Sequence, residues 1–212
     1  MRFSEFKKLL SSYPLFSTKD LSIFLGGKYN RSTLNNLKRW EDSGLLIQLC
    51  RGVYLFSEYD VENLAMLARK IYDPSYVSLE YALGYYGIIP EMVFSVTSVT
   101  TRLTKEFYNS AGHFYYHKIK KTAFSGYIPM MKDGISYYFA TPEKALVDFL
   151  YLHRDDLDGS KNQFESYRFN EEYQWKKGQL LSYAKLFSNK KTILLTYKFI
   201  ELYCHKGGNN AT

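Results

Sequence analysis

Cysteine is scarce in this chain. Of 212 residues only Cys50 and Cys204 carry a thiol, and neither has a second cysteine at metal-ligand spacing. The pattern argues against a disulfide framework or a cysteine-based zinc site, and both side chains read as small apolar fillers or surface thiols. Also missing is a run of about eighteen apolar residues, the length that crosses a bilayer. The N-terminus, Met1-Arg2-Phe3-Ser4-Glu5, opens an amphipathic pattern where a signal peptide would carry an apolar core. The expectation is a cytoplasmic protein with no membrane partner. No internal repeat, low-complexity segment or Gly-rich phosphate loop is present.

What the chain does have is a hydrophobic content of 46%, enough to bury a substantial core in one large domain or two small ones. Its net charge of +7 is unevenly spread. Residues 1–57 hold nine basic and four acidic side chains, residues 58–158 hold ten and thirteen, and residues 159–212 hold nine and four. Basic ends around an acidic middle suit a polyanion through phosphate contacts, although excess lysine on a solvated face is the commoner meaning of such a count.

Periodicity and punctuation divide the chain further. Phe3, Phe6, Leu9 and Leu10 share one helical face before Pro14. Ser17 and Asp20 stand at the cap and third positions of a short second helix that ends at Gly26-Gly27. Asn30 caps a third helix, residues 31–43, in which Leu34, Leu37 and Trp40 form the expected inner face and Gly44 the stop. Two strands follow, Leu45 to Cys50 and Val53 to Phe56, joined at Arg51-Gly52. Helix, helix, helix, hairpin is the order of a winged helix-turn-helix, assigned to residues 1–57.

Residues 58–158 read as a second domain. It has helices over 60–71 and from Leu79 to Tyr86, with Ser78 as cap. Extended runs are expected at Val93–Thr101, His113–Ile119 and the Tyr127–Phe139 hairpin around Asp133-Gly134. Thr141-Pro142-Glu143-Lys144 is a helix start with a hydroxyl cap and proline in the first turn. The expected fold class is α+β, a small, mostly antiparallel sheet covered by helices. A helical extension, residues 159–206, carries its longer segments at Glu171–Phe187 and Thr192–Tyr203, and 207–212 reads as a disordered tail.

With the third helix facing inward along Leu34, Leu37 and Trp40, the opposite face shows Arg31, Ser32, Asn35, Asn36 and Arg39. Arginine bonds guanine bidentately, asparagine bonds adenine in the same way, and serine serves base or phosphate. Residues near the helix start reach deepest into a major groove, which favours Arg31, Ser32 and Asn35. Lys28 and Tyr29, just ahead of the helix, suit phosphate anchoring, and Arg51 at the hairpin tip suits the minor groove or a phosphate. The bland alternative is a solvated polar face and a plain surface turn.

The runs Ser43-Gly44-Leu45-Leu46, Arg51-Gly52-Val53-Tyr54, Tyr76 to Leu83, Gly87-Ile88-Ile89-Pro90, Val96 to Thr100 and Ala140 to Asp148 follow one another in an order that resembles the AbiEi family of antitoxins. The resemblance covers about residues 1–190. It implies a type IV toxin–antitoxin system, in which the antitoxin represses its own promoter and opposes a nucleotidyltransferase-like toxin, AbiEii. The expectation is a sequence-specific transcriptional regulator with no catalytic activity and no cofactor.

Enzymatic readings find less support in the residues. His153-Arg154-Asp155 matches the start of a kinase catalytic loop, but no asparagine stands five residues beyond the aspartate. His113 and His117 lie on an expected strand, where that spacing separates Cα atoms by roughly 13 Å, too far to share one metal. A metal-dependent nuclease would draw on Glu80, Asp133, Glu143 and Asp148, if Glu143 and Asp148 converged with another acid in a cleft. Asp148, inside an apolar helix, reads as a hydrogen-bonded structural carboxylate. Most of the twenty-one tyrosines belong to the core, with Tyr81, Tyr85 and Tyr86 as candidates for a partner-binding patch. An RNA-binding platform of Tyr115 and Tyr116 with Lys118, Lys120 and Lys121 is a further alternative.

Overall fold

The computed structural model describes residues 1–27, 30–91 and 94–204. The expected tail, 207–212, falls outside them.

Helix α1 (Phe3–Leu9) turns Phe6 inward. Pro14 ends the approach to a short strand, β1 (Leu15–Ser17), where the sequence pattern predicts only a helix cap. Ser17 serves as both the end of that strand and the N-cap of α2 (Thr18–Phe24). Its Oγ accepts the Asp20 N–H at 3.3 Å, and the Asp20 carboxylate accepts the Ser17 N–H at 2.6 Å. Asn30 caps α3 (Arg31–Asp42) in the expected way, its Oδ1 accepting the Thr33 N–H at 3.1 Å. Strands β2 (Leu46–Cys50) and β3 (Val53–Phe56) form the expected hairpin, and Gly52 supplies the left-handed residue of its turn at φ +78°.

The three strands make an antiparallel sheet in the order β1-β3-β2. One face packs against the helices: Phe16, Leu46, Tyr54 and Phe56 join Phe6, Leu37 and Trp40 in an aromatic core, with the Phe6 and Trp40 rings 4.7 Å apart. Because side chains alternate along a strand, Leu15, Leu49, Val53 and Leu55 point the other way. They belong to the core of the rest of the chain.

That larger part is built on six strands in the order β6-β7-β5-β4-β9-β8. Their ranges are β4 (Ser75–Val77), β5 (Val96–Thr100), β6 (Lys105–Asn109), β7 (Gly112–Lys118), β8 (Tyr127–Lys132) and β9 (Ile135–Ala140). The β4–β5, β6–β7 and β8–β9 pairs are antiparallel, while β4–β9 and β5–β7 are parallel. The sheet is therefore mixed. Tyr76, Val99 and His117 stand side by side in register, so Tyr116, one residue off, faces the other way. The Tyr76 hydroxyl donates to Asp148 on α6 (Pro142–Leu152) at 2.9 Å, and that of Tyr116 to the Ala68 carbonyl on α4 (Ala65–Ile71) at 2.6 Å. Helices thus cover both faces, in agreement with the α+β class.

The remaining helices are α5 (Leu79–Tyr85), α7 (Lys161–Ser166), α8 (Lys177–Leu186) and α9 (Lys190–Tyr203). The helix expected from Glu171 begins only at Lys177: Trp175 is buried in the core and the Lys176 N–H donates to Glu143 Oε1 at 3.3 Å. Among the described residues no helix is long and apolar enough to cross a membrane. The two parts are fastened by Lys70–Asp20 and Lys7–Glu58 ion pairs, at 2.6 and 2.5 Å, and by Asn109 Nδ2 donating to the Leu49 carbonyl at 2.9 Å.

Candidate nucleic-acid interface

The inner face of α3 is set by Thr33, Leu37 and Trp40, all buried. Leu34, expected inside, is 45% exposed. The correction follows from helical phase: positions 33, 37 and 40 span a narrower arc, at 100° per residue, than any that also admits 34. The outer face consequently centres on Arg31, Asn35 and Lys38, with Ser32 and Arg39 beside them, and all five are exposed. Asn36 is half-buried at the margin, and its Oδ1 accepts from Arg39 Nη2 at 3.0 Å. Among the described residues, no hydrogen bond or ion pair engages the side chains of Arg31, Ser32 or Asn35. Lys38 escaped the sequence reading because Leu34 set the phase. Spacings of three from Asn35 and seven from Arg31 are the signal that finds it.

Arg51 is exposed at the hairpin turn. The hairpin stops level with its sheet, since Val53 already pairs with Ser17, so the turn presents Arg51 without extending beyond the strands. The Gly52 carbonyl accepts the Thr18 N–H at 2.8 Å, which holds the turn against the start of α2. Lys28 and Tyr29 lie outside the described residues.

The three tyrosines of α5 and its C-cap are not displayed together. The Tyr81 hydroxyl donates to Asn63 Oδ1 at 2.8 Å and that of Tyr86 to the Ala140 carbonyl at 2.9 Å, while Tyr85 is 54% exposed. Nor do Tyr115 and Tyr116 form one platform with the neighbouring lysines, because Tyr116 is buried and Lys120 Nζ donates to the Phe187 carbonyl at 2.7 Å.

No family model matches the chain, and no curated protein matches its sequence.

The acids named for a nuclease are scattered among separate contacts. Asp133 accepts from the Tyr59 hydroxyl at 2.9 Å, and burial, reinforced by this bond, pushes that phenol up to about 12. Glu143 and Asp148 are buried rather than open to a cleft. Among the described residues no group of three or more His, Cys, Asp or Glu is placed to hold a metal ion. Asp148 is the centre of a closed network: its carboxylate accepts from Tyr76 and from Ser78 Oγ, at 2.9 and 2.8 Å, and pairs with Lys144 one helical turn away. Burial raises the Asp148 carboxyl above its ordinary range and lowers the Lys144 ammonium below its own. Ser78, expected as a helix cap, makes no capping bond, because its hydroxyl is spent on Asp148. The turn there is tight enough to hold Leu79, a buried non-glycine, at φ +60°.

Glu80 and His153 link α5 to the C-cap of α6, with His153 Nε2 and Glu80 Oε1 2.9 Å apart. The hydrogen bond to Glu80 raises the imidazole, against the opposing effect of burial. Burial works against ionisation of Glu80, yet the bond from His153 leaves its carboxyl below the usual value. His117 feels both groups and is lowered, chiefly by burial.

Proposed function

We propose that the chain is a sequence-specific DNA-binding transcriptional regulator of the cytoplasm, an autorepressor of the antitoxin type, whose N-terminal part works as a winged helix. The order helix, strand, helix, helix, hairpin supports this reading, with α3 as the recognition helix and the Arg51-Gly52 turn as a minimal wing. The observation that carries it is the row of Arg31, Ser32 and Asn35 at the capped start of α3, exposed and engaged by no other described side chain. Side chains left free at a helix N-terminus, which is itself electropositive, suit a base edge flanked by phosphates. The resemblance to the AbiEi antitoxins supplies the remainder: the DNA is the chain's own promoter, and the larger part opposes an AbiEii-type nucleotidyltransferase. No catalytic step or cofactor is assigned to the protein.

The test is a titration against its own upstream duplex and a scrambled one at several salt concentrations. The reading expects a preference for the upstream DNA that survives moderate salt. Arg31→Ala should weaken specific binding by about 1–3 kcal/mol, and Lys38→Ala should weaken binding to both duplexes and flatten the salt dependence. Equal, steeply salt-sensitive binding to both duplexes, or equal losses on both for Arg31→Ala, would overturn base readout.

A further inference from the structure

A cleft of about 670 Å³ separates the N-terminal part from the larger one. Its volume lies in the range of small-molecule sites, which favour junctions between domains. On one wall stand Lys19, Arg51 and the hydroxyl-bearing residues Ser12 and Thr18; on the other are Arg69, Lys70 and the Asp133-Gly134 turn. Most charges here are already satisfied. Lys70 pairs with Asp20 at 2.6 Å, Arg69 with Asp73 at 3.1 Å, and Asp133 accepts from Tyr59. Lys19 and Arg51 have no ion pair or hydrogen bond among the described residues, and these two cations outweigh the one Asp133 carboxylate, whose charge a neutral phenol does not offset, so the net charge in the cleft is positive. Tyr13 and Phe24 line the same space, with ring centroids 4.9 Å apart. Two unpaired cations, a pair of aromatic rings and a carboxylate able to accept hydroxyl protons form a set that matches one ligand chemistry.

The geometry points to a mononucleotide site in this cleft, with the phosphate on Lys19 and Arg51, the base against Tyr13 and Phe24, and the sugar hydroxyls toward Asp133. Guanidinium and ammonium groups are the usual partners of a phosphate, and a flat base gains by stacking on aromatic rings. A bound nucleotide would also bridge the two parts, touching α2 and the hairpin turn on one side and the β8–β9 turn on the other. Where Arg51 contacts operator DNA, which rests on the reading above, nucleotide and DNA compete for it.

Calorimetry on the full chain without DNA tests the site independently of that reading. The probes are AMP, GMP and UMP, with adenosine and inorganic phosphate as controls. At least one nucleotide should bind saturably with a Kd tighter than about 1 mM, and adenosine and phosphate should each bind at least about tenfold more weakly. Lys19→Ala and Arg51→Ala alter exposed side chains, so unchanged melting curves should accompany an affinity loss of about tenfold each. Tyr13→Ala should weaken the best-bound nucleotide while leaving phosphate unaffected. Absence of saturable nucleotide binding overturns the proposal. So does binding that all three variants retain, or inorganic phosphate binding as tightly as the best-bound nucleotide.

Discussion

Replacing Asp148 by asparagine tests the energetics of the larger core most directly. The carboxylate is wholly buried and holds three groups at once: Lys144, Tyr76 and Ser78, each themselves buried. Asparagine keeps the shape and an oxygen able to accept from the two hydroxyls, but it removes the charge paired with Lys144. Its amide also brings a proton donor close to the ammonium. Losing one partner of a buried ion pair costs about 3–5 kcal/mol, since the survivor stays desolvated, and a whole domain is stable by only about 5–15 kcal/mol. Lys144 can escape part of the cost by shedding its proton, a step already favoured by its burial. Lys144→Met should cost less, because a protonated Asp148 keeps both hydroxyl partners and loses no compensating charge. In the double variant the coupling should appear as a non-additivity of about 2 kcal/mol or more. Urea unfolding provides the assay, followed by tryptophan fluorescence and far-ultraviolet circular dichroism. Trp40 reports the smaller core and Trp175 the larger. A loss below about 1 kcal/mol for Asp148→Asn, or additive losses in the double variant, would refute the claim that the pair is a coupled unit.

Three further outcomes follow from local geometry. Gly52→Ala should cost about 1–2 kcal/mol in urea unfolding, because the residue sits at φ +78° and the new methyl would lie 3.0 Å from Thr18 Oγ1. Asn30→Ala should cost about 1 kcal/mol by removing the cap of α3, and a substitution without effect on the melting temperature would contradict that role. The Glu80–His153 pair should make stability depend on pH. Its contribution is complete below the ordinary imidazole value of 6.5 and is lost as pH rises through the raised value of the folded protein. The melting temperatures of wild type and His153→Gln, compared from pH 5 to 9, should therefore converge toward the alkaline end; a gap that widens there would reverse the sign.

The elements that carry their own chemical punctuation were legible from the residues alone. Ser17 with Asp20, Asn30, and Thr141 with Pro142 all mark helix starts that the structure contains, and Asp133-Gly134 turns the β8–β9 hairpin with both residues at positive φ. Strands β1 and β4 escaped because each has three residues, too few to display a period of two. Strand β6 escaped because it lies at the sheet edge and shows Lys105, Glu106 and Tyr108 to solvent. The parallel pairings depend on connections between distant segments, which no local pattern encodes. For the candidate interface, residue types were readable but orientation was not: one leucine, Leu34, shifted the assumed phase of α3 and hid Lys38. The cleft joins residues 12–24 to residues 133–136, a meeting that arises only from tertiary packing.

The small sheet has apolar side chains on both faces, and this bears on whether residues 1–57 can exist by themselves. Cut away after the β3 strand, residues 1–57 would present Leu15, Leu49, Val53 and Leu55 to water as one contiguous strip. Such a fragment invites self-association through that strip. The larger part, stripped of the same sheet, would be left with an uncovered wall of its own. The head that carries α3 is thus no detachable cartridge. Moving it into another protein would require grafting the opposing wall as well, and a change in that wall reaches α3 through a single layer of strands.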